Sequence, residues 1–205
     1  MKNKIFLLII LVLIFGFSLI GCDNGVKGTG GSIVYLSVNG TWYSYGNVYK
    51  YIFNSGNFEH YYNGNPYRRG TYTTTNDSMT MIITNIGRTY LSSYTTFLTT
   101  TKDWYTKDEV KTAYINYYRN QYRTSVQQTY DNYVAVYGVS AANNYFNSLY
   151  GTTNIDTIVN QLYGDILTNA GNSIDTSLNS LYSNSTVSYS LTDKLILGGI
   201  TLTKE

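Results

Sequence analysis

The sequence predicts an α+β protein in which two blocks of short β-strands flank one helical block. Residues 32–100 are aromatic, β-branched or Thr-rich runs broken by turn residues, which is typical of short strands. From residue 102 apolar residues recur at helical spacing, and after Ser183 they alternate with polar residues again. We therefore expect a small antiparallel β-barrel or sheet with an α-helical block inserted before a C-terminal hairpin.

The N-terminal strands are separated by turn residues such as Gly46-Asn47 and Asn63-Gly64-Asn65-Pro66, which contains the only proline. The strands expected between these turns cover residues 41–45, 48–53, 58–62, 70–75, 79–84 and 88–94. This regular, close spacing is typical of an up-and-down sheet or barrel. Arg68-Arg69 follows a turn and is interpreted as a solvated hairpin end.

The helical block opens on Thr106-Lys107-Asp108-Glu109, which fits a capping box with Thr106 as N-cap and Glu109 at N3. Gly138 ends this first helix and Ser140 is expected to cap the second. A third helix, with Asn154 as its cap, is expected to stop at Gly171 and to be followed by a fourth.

Seven residues of the first helix recur at every fourth position, and each step overshoots a helical turn by about 40°. They are Val110, Tyr114, Tyr118, Tyr122, Val126, Tyr130 and Val134. Because such a row winds around the helix, one face cannot bury all of it. The sequence therefore predicts a contact surface at Tyr114, Tyr118, Tyr122 and Tyr130.

The composition argues against a nucleic-acid partner and leaves the reason for the excess of tyrosine open. The chain has 14 basic and 12 acidic residues, and no basic face suggests a nucleic-acid partner. Tyr is abundant, with 24 residues, and suits a surface that is both apolar and hydrated. An A/T-rich codon bias explains the same excess equally well.

Side chains able to support catalysis are few. The only histidine, His60, alternates with Glu59 on a predicted strand, so the two side chains point to opposite faces, and His60 is expected to be exposed. Asp108 and Glu109 are explained by the helix N-terminus, where carboxylates are favoured. We therefore predict no enzyme activity, no cofactor and no metal site. Trp104 is interpreted as a packing residue, with sugar stacking as the alternative.

The N-terminus carries Lys2 and Lys4, an apolar run over residues 5–17, and then Leu19-Ile20-Gly21-Cys22. The run is shorter than the roughly 20 residues that span a bilayer. This layout is that of an export signal, and its end resembles the lipobox of bacterial lipoproteins. The resemblance implies cleavage between Gly21 and Cys22, diacylglycerylation of the Cys22 thiol, and acylation of the new amino terminus, for example with palmitate.

The resemblance thus implies a signal peptide over residues 1–21 and an envelope protein held to the outer membrane or the cell membrane by its N-terminal lipid. Residues 22–31 are Gly-rich and polar and are interpreted as a flexible tether. As Cys22 is the only cysteine, the mature chain has no internal disulfide.

A second set of short motifs resembles the lipocalin-like domains of small bacterial lipoproteins, notably spirochaetal ones. The motifs are Gly40-Thr41-Trp42, Tyr51-Ile52-Phe53, Gly56-Asn57-Phe58-Glu59, Arg69-Gly70-Thr71-Tyr72-Thr73, Met79-Thr80-Met81, the run 189–197 and Thr201-Leu202-Thr203-Lys204. The resemblance implies that Trp42 packs across the closed end of a barrel. It implies a β domain over 32–100 plus 186–205, with residues 101–185 as a helical insertion.

Two functions follow as hypotheses. The first is a structural or surface-contact lipoprotein, in which the barrel is a scaffold and the Tyr-rich helices meet a protein partner. The second is a calycin-type module that binds a small apolar ligand. An open barrel cavity favours ligand binding, whereas a packed interior favours the contact function.

Overall fold

The structure, a computed structural model, describes residues 37–205. The predicted signal peptide, the tether and the lipid-attachment residue Cys22 lie outside the described residues. The described chain forms two compact units, one made of residues 37–89 with 183–205 and the other of residues 90–182. The first unit is an eight-stranded antiparallel β-barrel and the second contains three α-helices, so the predicted combination of a barrel and a helical block is confirmed.

The elements follow one another with short connections outside the helical block. In chain order they are β1 (Gly40–Ser44), a 3₁₀ turn (Tyr45–Asn47), β2 (Tyr49–Asn54), β3 (Asn57–Tyr62), β4 (Asn65–Thr74), β5 (Ser78–Gly87), a second 3₁₀ segment (Arg88–Tyr94), β6 (Trp104–Thr106), α1 (Lys107–Tyr137), α2 (Val139–Tyr150), α3 (Ile155–Asn179), β7 (Ser185–Leu191), β8 (Lys194–Leu197) and β9 (Ile200–Lys204).

The barrel closes because each of its eight strands pairs antiparallel with two neighbours. Strands β1 to β5 form a meander, and β7 to β9 form a second one. Two pairings join the meanders: Met79 of β5 lies opposite Val187 of β7, and Trp42 of β1 lies opposite Lys204 of β9. The strands before and after the helical block therefore belong to one closed sheet.

Three of the hairpins turn through two residues with positive φ. Ser55-Gly56 (47° and 80°), Asn63-Gly64 (48° and 76°) and Gly198-Gly199 (57° and 83°) all lie in the left-handed region. This is the backbone of a type I′ turn, whose twist matches that of the flanking strands. The turn dipeptides thus fix the register of β2–β3, β3–β4 and β8–β9.

The barrel core consists of residues that alternate along the strands with exposed or half-buried ones. The most deeply buried of them are Phe53, Phe58, Met79, Ile86, Leu195 and Leu202. Trp42 is also buried; its indole Nε1 donates to the Val38 carbonyl oxygen at 2.6 Å, and the Lys204 ammonium lies 5.4 Å from its ring centre.

The helical block begins with the predicted capping box. Thr106 Oγ1 accepts from the Glu109 amide at 3.2 Å, and the Glu109 carboxylate accepts from the Thr106 amide at 3.0 Å. The two long helices α1 and α3 are joined by ion pairs of Asp175 with Lys107 (2.9 Å) and of Asp156 with Arg123 (3.0 Å). Their shared core with α2 contains Val126, Phe146, Ile158 and Val159.

Three sequence expectations are wrong. Residues 88–94 form a 3₁₀ segment and not a strand, and Gly138 rather than Ser140 precedes the second helix. Gly171 does not end a helix, since α3 runs through it to Asn179. A Cβ atom at Gly171 would lie 3.0 Å from Ile115 Cδ1, so this glycine allows α1 and α3 to pack closely and does not break the helix.

Gly70 provides a test of how closely β4 and β5 pack. A Cβ atom there would lie 1.9 Å from the Ile82 carbonyl oxygen, so we predict that Gly70→Ala lowers the free energy of unfolding by about 3 kcal/mol or more. Gly164→Ala is the control, because a Cβ atom at Gly164 would have no atom of another element within 4 Å. In the interior of α3 this change should stabilise by up to about 1 kcal/mol. Urea unfolding, monitored by circular dichroism, measures the change in unfolding free energy for each variant. Equal changes for the two variants would contradict the close packing of β4 and β5.

Candidate functional site

His60 lies inside the barrel, so the expectation of an exposed strand histidine is wrong. Its side chain is only 8% exposed. The two-residue period of β3 places it on the same face as the buried Phe58, while Glu59 points to the other face and accepts a hydrogen bond from the Tyr61 hydroxyl at 2.6 Å. The prediction that Glu59 and His60 point to opposite faces is therefore confirmed.

Aromatic rings surround the His60 imidazole. The Tyr51 ring is stacked on it with centroids 4.0 Å apart and an interplanar angle of 16°. Tyr67 meets it edge-on at 4.9 Å, and Tyr49 lies at 5.8 Å in a tilted arrangement. We call these four residues and Arg68 the His60 cluster.

Arg68 brings a positive charge to the cluster. It lies directly opposite His60 in the β3–β4 pairing, with its guanidinium 4.6 Å from the centre of the Tyr67 ring. Arg68 and Arg69 are both half-buried within β4, so the interpretation of this pair as a solvated hairpin end is wrong. Arg68 Nε and His60 Nε2 are buried and form no hydrogen bond in the structure of residues 37–205.

A β-bulge brings the cluster together. His60 pairs with Arg68 while the next residue, Tyr61, pairs with Pro66, so Tyr67 is an extra residue in β4. A bulge re-aims the side chain of the extra residue, and here the Tyr67 ring contacts the imidazole. Proline within a strand is a sequence signal for such an irregularity, but it does not reveal which side chain is redirected.

Burial shifts the pKa values of His60 and Tyr51. Loss of water contact, with a smaller effect from the Arg68 charge, lowers the pKa of His60 to about 3. The imidazole is therefore neutral at neutral pH. Burial, followed by the neighbouring Tyr49, raises the pKa of the Tyr51 hydroxyl. Arg68 thus contributes the one formal charge of the His60 cluster at neutral pH.

The four tyrosines predicted as a contact surface are half-buried within the helical block. Tyr114 and Tyr118 lie against the Phe97 ring, with centroids 4.8 and 6.0 Å away. Tyr122 stacks on Tyr163 at 4.1 Å. Tyr130, the fourth tyrosine, contacts α2: its hydroxyl donates a hydrogen bond to Asn143 Oδ1 at 2.6 Å. Each ring has a partner inside the block, and the contact surface remains a prediction.

More exposed apolar side chains lie where α1 meets α2. Val136, Tyr137 and Val139 are 70%, 63% and 57% exposed, and we call them the tip patch. The Tyr133 ring lies 4.6 Å from that of Tyr137 and is stacked on Tyr145, with centroids 4.4 Å apart. Sequence reasoning missed these residues, although a signal was available: no Asp, Glu, Lys or Arg occurs between Asp131 and Asp156.

A pocket of about 390 Å³ lies at the start of α1. Its charged groups are partly paired, as Lys102 Nζ lies 2.6 Å from Glu109 Oε1. The hydrogen bond from Lys102, followed by that from the Thr106 amide, lowers the pKa of Glu109. The Glu109 carboxylate therefore serves the helix cap and an ion pair.

Within residues 37–205, no three His, Cys, Asp or Glu side chains lie close enough together to hold a metal ion. The helices of this described part also lack the length and apolar content needed to cross a membrane. No protein-family model, curated protein or solved structure matches the chain.

The buried imidazole predicts a specific pH dependence of stability. Because the pKa of His60 is lower in the folded than in the unfolded chain, the unfolded state binds the proton first as pH falls below 6.5. Stability should then fall by roughly 1.4 kcal/mol per pH unit until pH approaches the folded-state value. Urea unfolding at pH 7 and pH 5 measures this change.

The matched variant is His60→Gln, which cannot titrate. Its free energy of unfolding should change less than that of the wild type between pH 7 and pH 5, by about 2 kcal/mol. Carboxylate titrations are common to both proteins and cancel in the comparison. Identical pH dependence in the two proteins would show that His60 titrates normally.

Proposed function

We propose that this protein is a lipid-anchored envelope lipoprotein of the spirochaetal type. In this proposal a lipocalin-like barrel is the scaffold, the helical block contacts another protein, and the chain has no catalytic role. The observation that carries the contact role is the tip patch, three apolar side chains that are all more than half exposed and lie within four residues of the α1–α2 junction.

The chemistry of the block supports a protein partner. Protein interfaces are enriched in Tyr and depleted of charge at their centres, and buried aromatic side chains contribute much of the binding energy. The tip patch includes Tyr137 and lies in a segment without charged residues, and the nearby Tyr145 is 41% exposed. A partner with a neutral, apolar surface matches this composition.

The barrel interior supports a scaffold role over the alternative of a small apolar ligand. Phe53, Phe58, Met79, Leu195 and Leu202 come from five strands and are almost wholly excluded from solvent. In an eight-stranded barrel, side chains of this size are sufficient to fill the interior. A bound apolar ligand would have to displace some of them.

Site-specific photo-crosslinking in cells that naturally contain the protein tests the contact. A photoreactive phenylalanine analogue at Val136 or Val139 should give one discrete cross-linked product. Gln128 and Asn132, which are exposed and polar on α1, are the control positions and should give little. The proposal fails if the tip positions give no product, or if all four positions give the same products.

The lipid anchor is tested separately. Cys22→Ser removes the predicted acylation site, so the protein should move from the detergent phase to the aqueous phase in phase partitioning. Ser is close to Cys in size, and the described fold should not change. If the variant still partitions with the detergent, the anchor is not Cys22.

A further inference from the structure

We propose that the helical block is a site of oxidative cross-linking, in which one dityrosine bond forms between Tyr122 and Tyr163 and a second between Tyr133 and Tyr145. This inference does not rest on the protein-contact function proposed above. It follows from two pairs of tyrosine rings that lie face to face where helices meet. One pair joins α1 to α3, and the other joins α1 to α2.

The ring geometry of these two pairs sets them apart. The Tyr122 and Tyr163 rings are 4.1 Å apart at an angle of 3°, and those of Tyr133 and Tyr145 are 4.4 Å apart at 7°. Other tyrosine pairs of the block meet at angles of 43°, 61° and 88°, namely Tyr133–Tyr137, Tyr114–Tyr118 and Tyr117–Tyr118. Parallel rings place the carbons beside the two hydroxyl-bearing carbons in contact, and these are the atoms that couple in dityrosine. Holding them together replaces a bimolecular encounter.

Tyrosine is the most readily oxidised residue type of the helices. From Lys107 to Asn179 the sequence contains ten tyrosines and no Cys, Met, Trp or His. Because peroxides attack Cys and Met side chains first where these are present, an oxidant that reaches the helices reacts with phenol rings. The paired rings are within reach, since Tyr145 is 41% exposed and the other three are half-buried.

The reaction removes two electrons and two protons from each pair. Each tyrosine gives one electron to the oxidant and its hydroxyl proton to water, and the two phenoxyl radicals then form a carbon–carbon bond between their rings. The hydrogens of the two bonded carbons move as protons to the oxygens, so that both rings regain their aromaticity. The oxidant is a peroxide, whose O–O bond breaks as it accepts the two electrons.

The cross-links would stabilise a chain that has no internal disulfide. Cys22 is the only cysteine, so no disulfide connects the helices. A bond between Tyr122 and Tyr163 closes a loop that contains all of α2, and closing a long loop restricts the unfolded chain. The cross-linked helices should therefore melt at a temperature higher by about 5 °C or more.

The test uses the full chain in detergent micelles, at a dilution that leaves one chain in each micelle. Persulfate is the peroxide, and light-activated tris(bipyridine)ruthenium carries single electrons to it. Dityrosine fluorescence should appear, and peptide mapping by mass spectrometry should place most of it at the two stacked pairs, each with two hydrogen atoms fewer. The same treatment in urea, which separates the rings, should give at least about tenfold less of these two products.

The matched variants are Tyr122→Phe and Tyr118→Phe, which each remove one hydroxyl from α1 and keep the ring. Tyr122→Phe should abolish the cross-link to Tyr163 and retain that between Tyr133 and Tyr145. Tyr118→Phe should leave both products within about twofold of the wild type. The proposal is overturned if the folded chain gives no dityrosine, if urea leaves the yield unchanged, if the edge-on pairs couple equally well, or if Tyr122→Phe keeps the wild-type products.

Discussion

The pairing of β1 with β9 closes the barrel, and the rest of the β unit depends on it. Without that contact the eight strands would form an open sheet whose two edges carry unpaired backbone groups. The contact joins positions far apart in the chain, with Ser44 opposite Leu202 and Trp42 opposite Lys204. The β5–β7 pairing has a similar role, because it joins the two meanders across the helical insertion.

Closure with eight short strands leaves a narrow interior that side chains can fill. This constraint explains why a polar residue on the inner face is costly, and why His60 and Arg68 are unusual. The bulge at Tyr67 adds an aromatic ring beside the imidazole. The barrel is therefore apolar around Phe53 and Phe58, but polar and aromatic around His60.

Local signals in the sequence predicted much of the fold. The capping box at Thr106 and the turn at Gly64 depend only on nearby backbone, so both could be predicted from short segments of sequence. The prediction that Gly171 ends a helix was wrong because this glycine serves the close packing of α3 against Ile115 of α1, which the local sequence does not reveal. The burial of His60 and the exposure of Val136 likewise depend on tertiary contacts that residue spacing does not specify. The aromatic spacing of β3 did contain a clue, as Phe58 and His60 share one face.

The central claim is that the barrel closes through its own strands, so that the helical block is an insertion. The most direct measurement replaces residues 90–182 with a Gly/Ser linker and records β-sheet circular dichroism and urea unfolding. Because the entropic cost of closing a loop changes only slowly with its length, the account predicts a retained β-sheet spectrum and one cooperative transition. Loss of the spectrum or of cooperativity would contradict it, since the helices would then be part of what holds the barrel together.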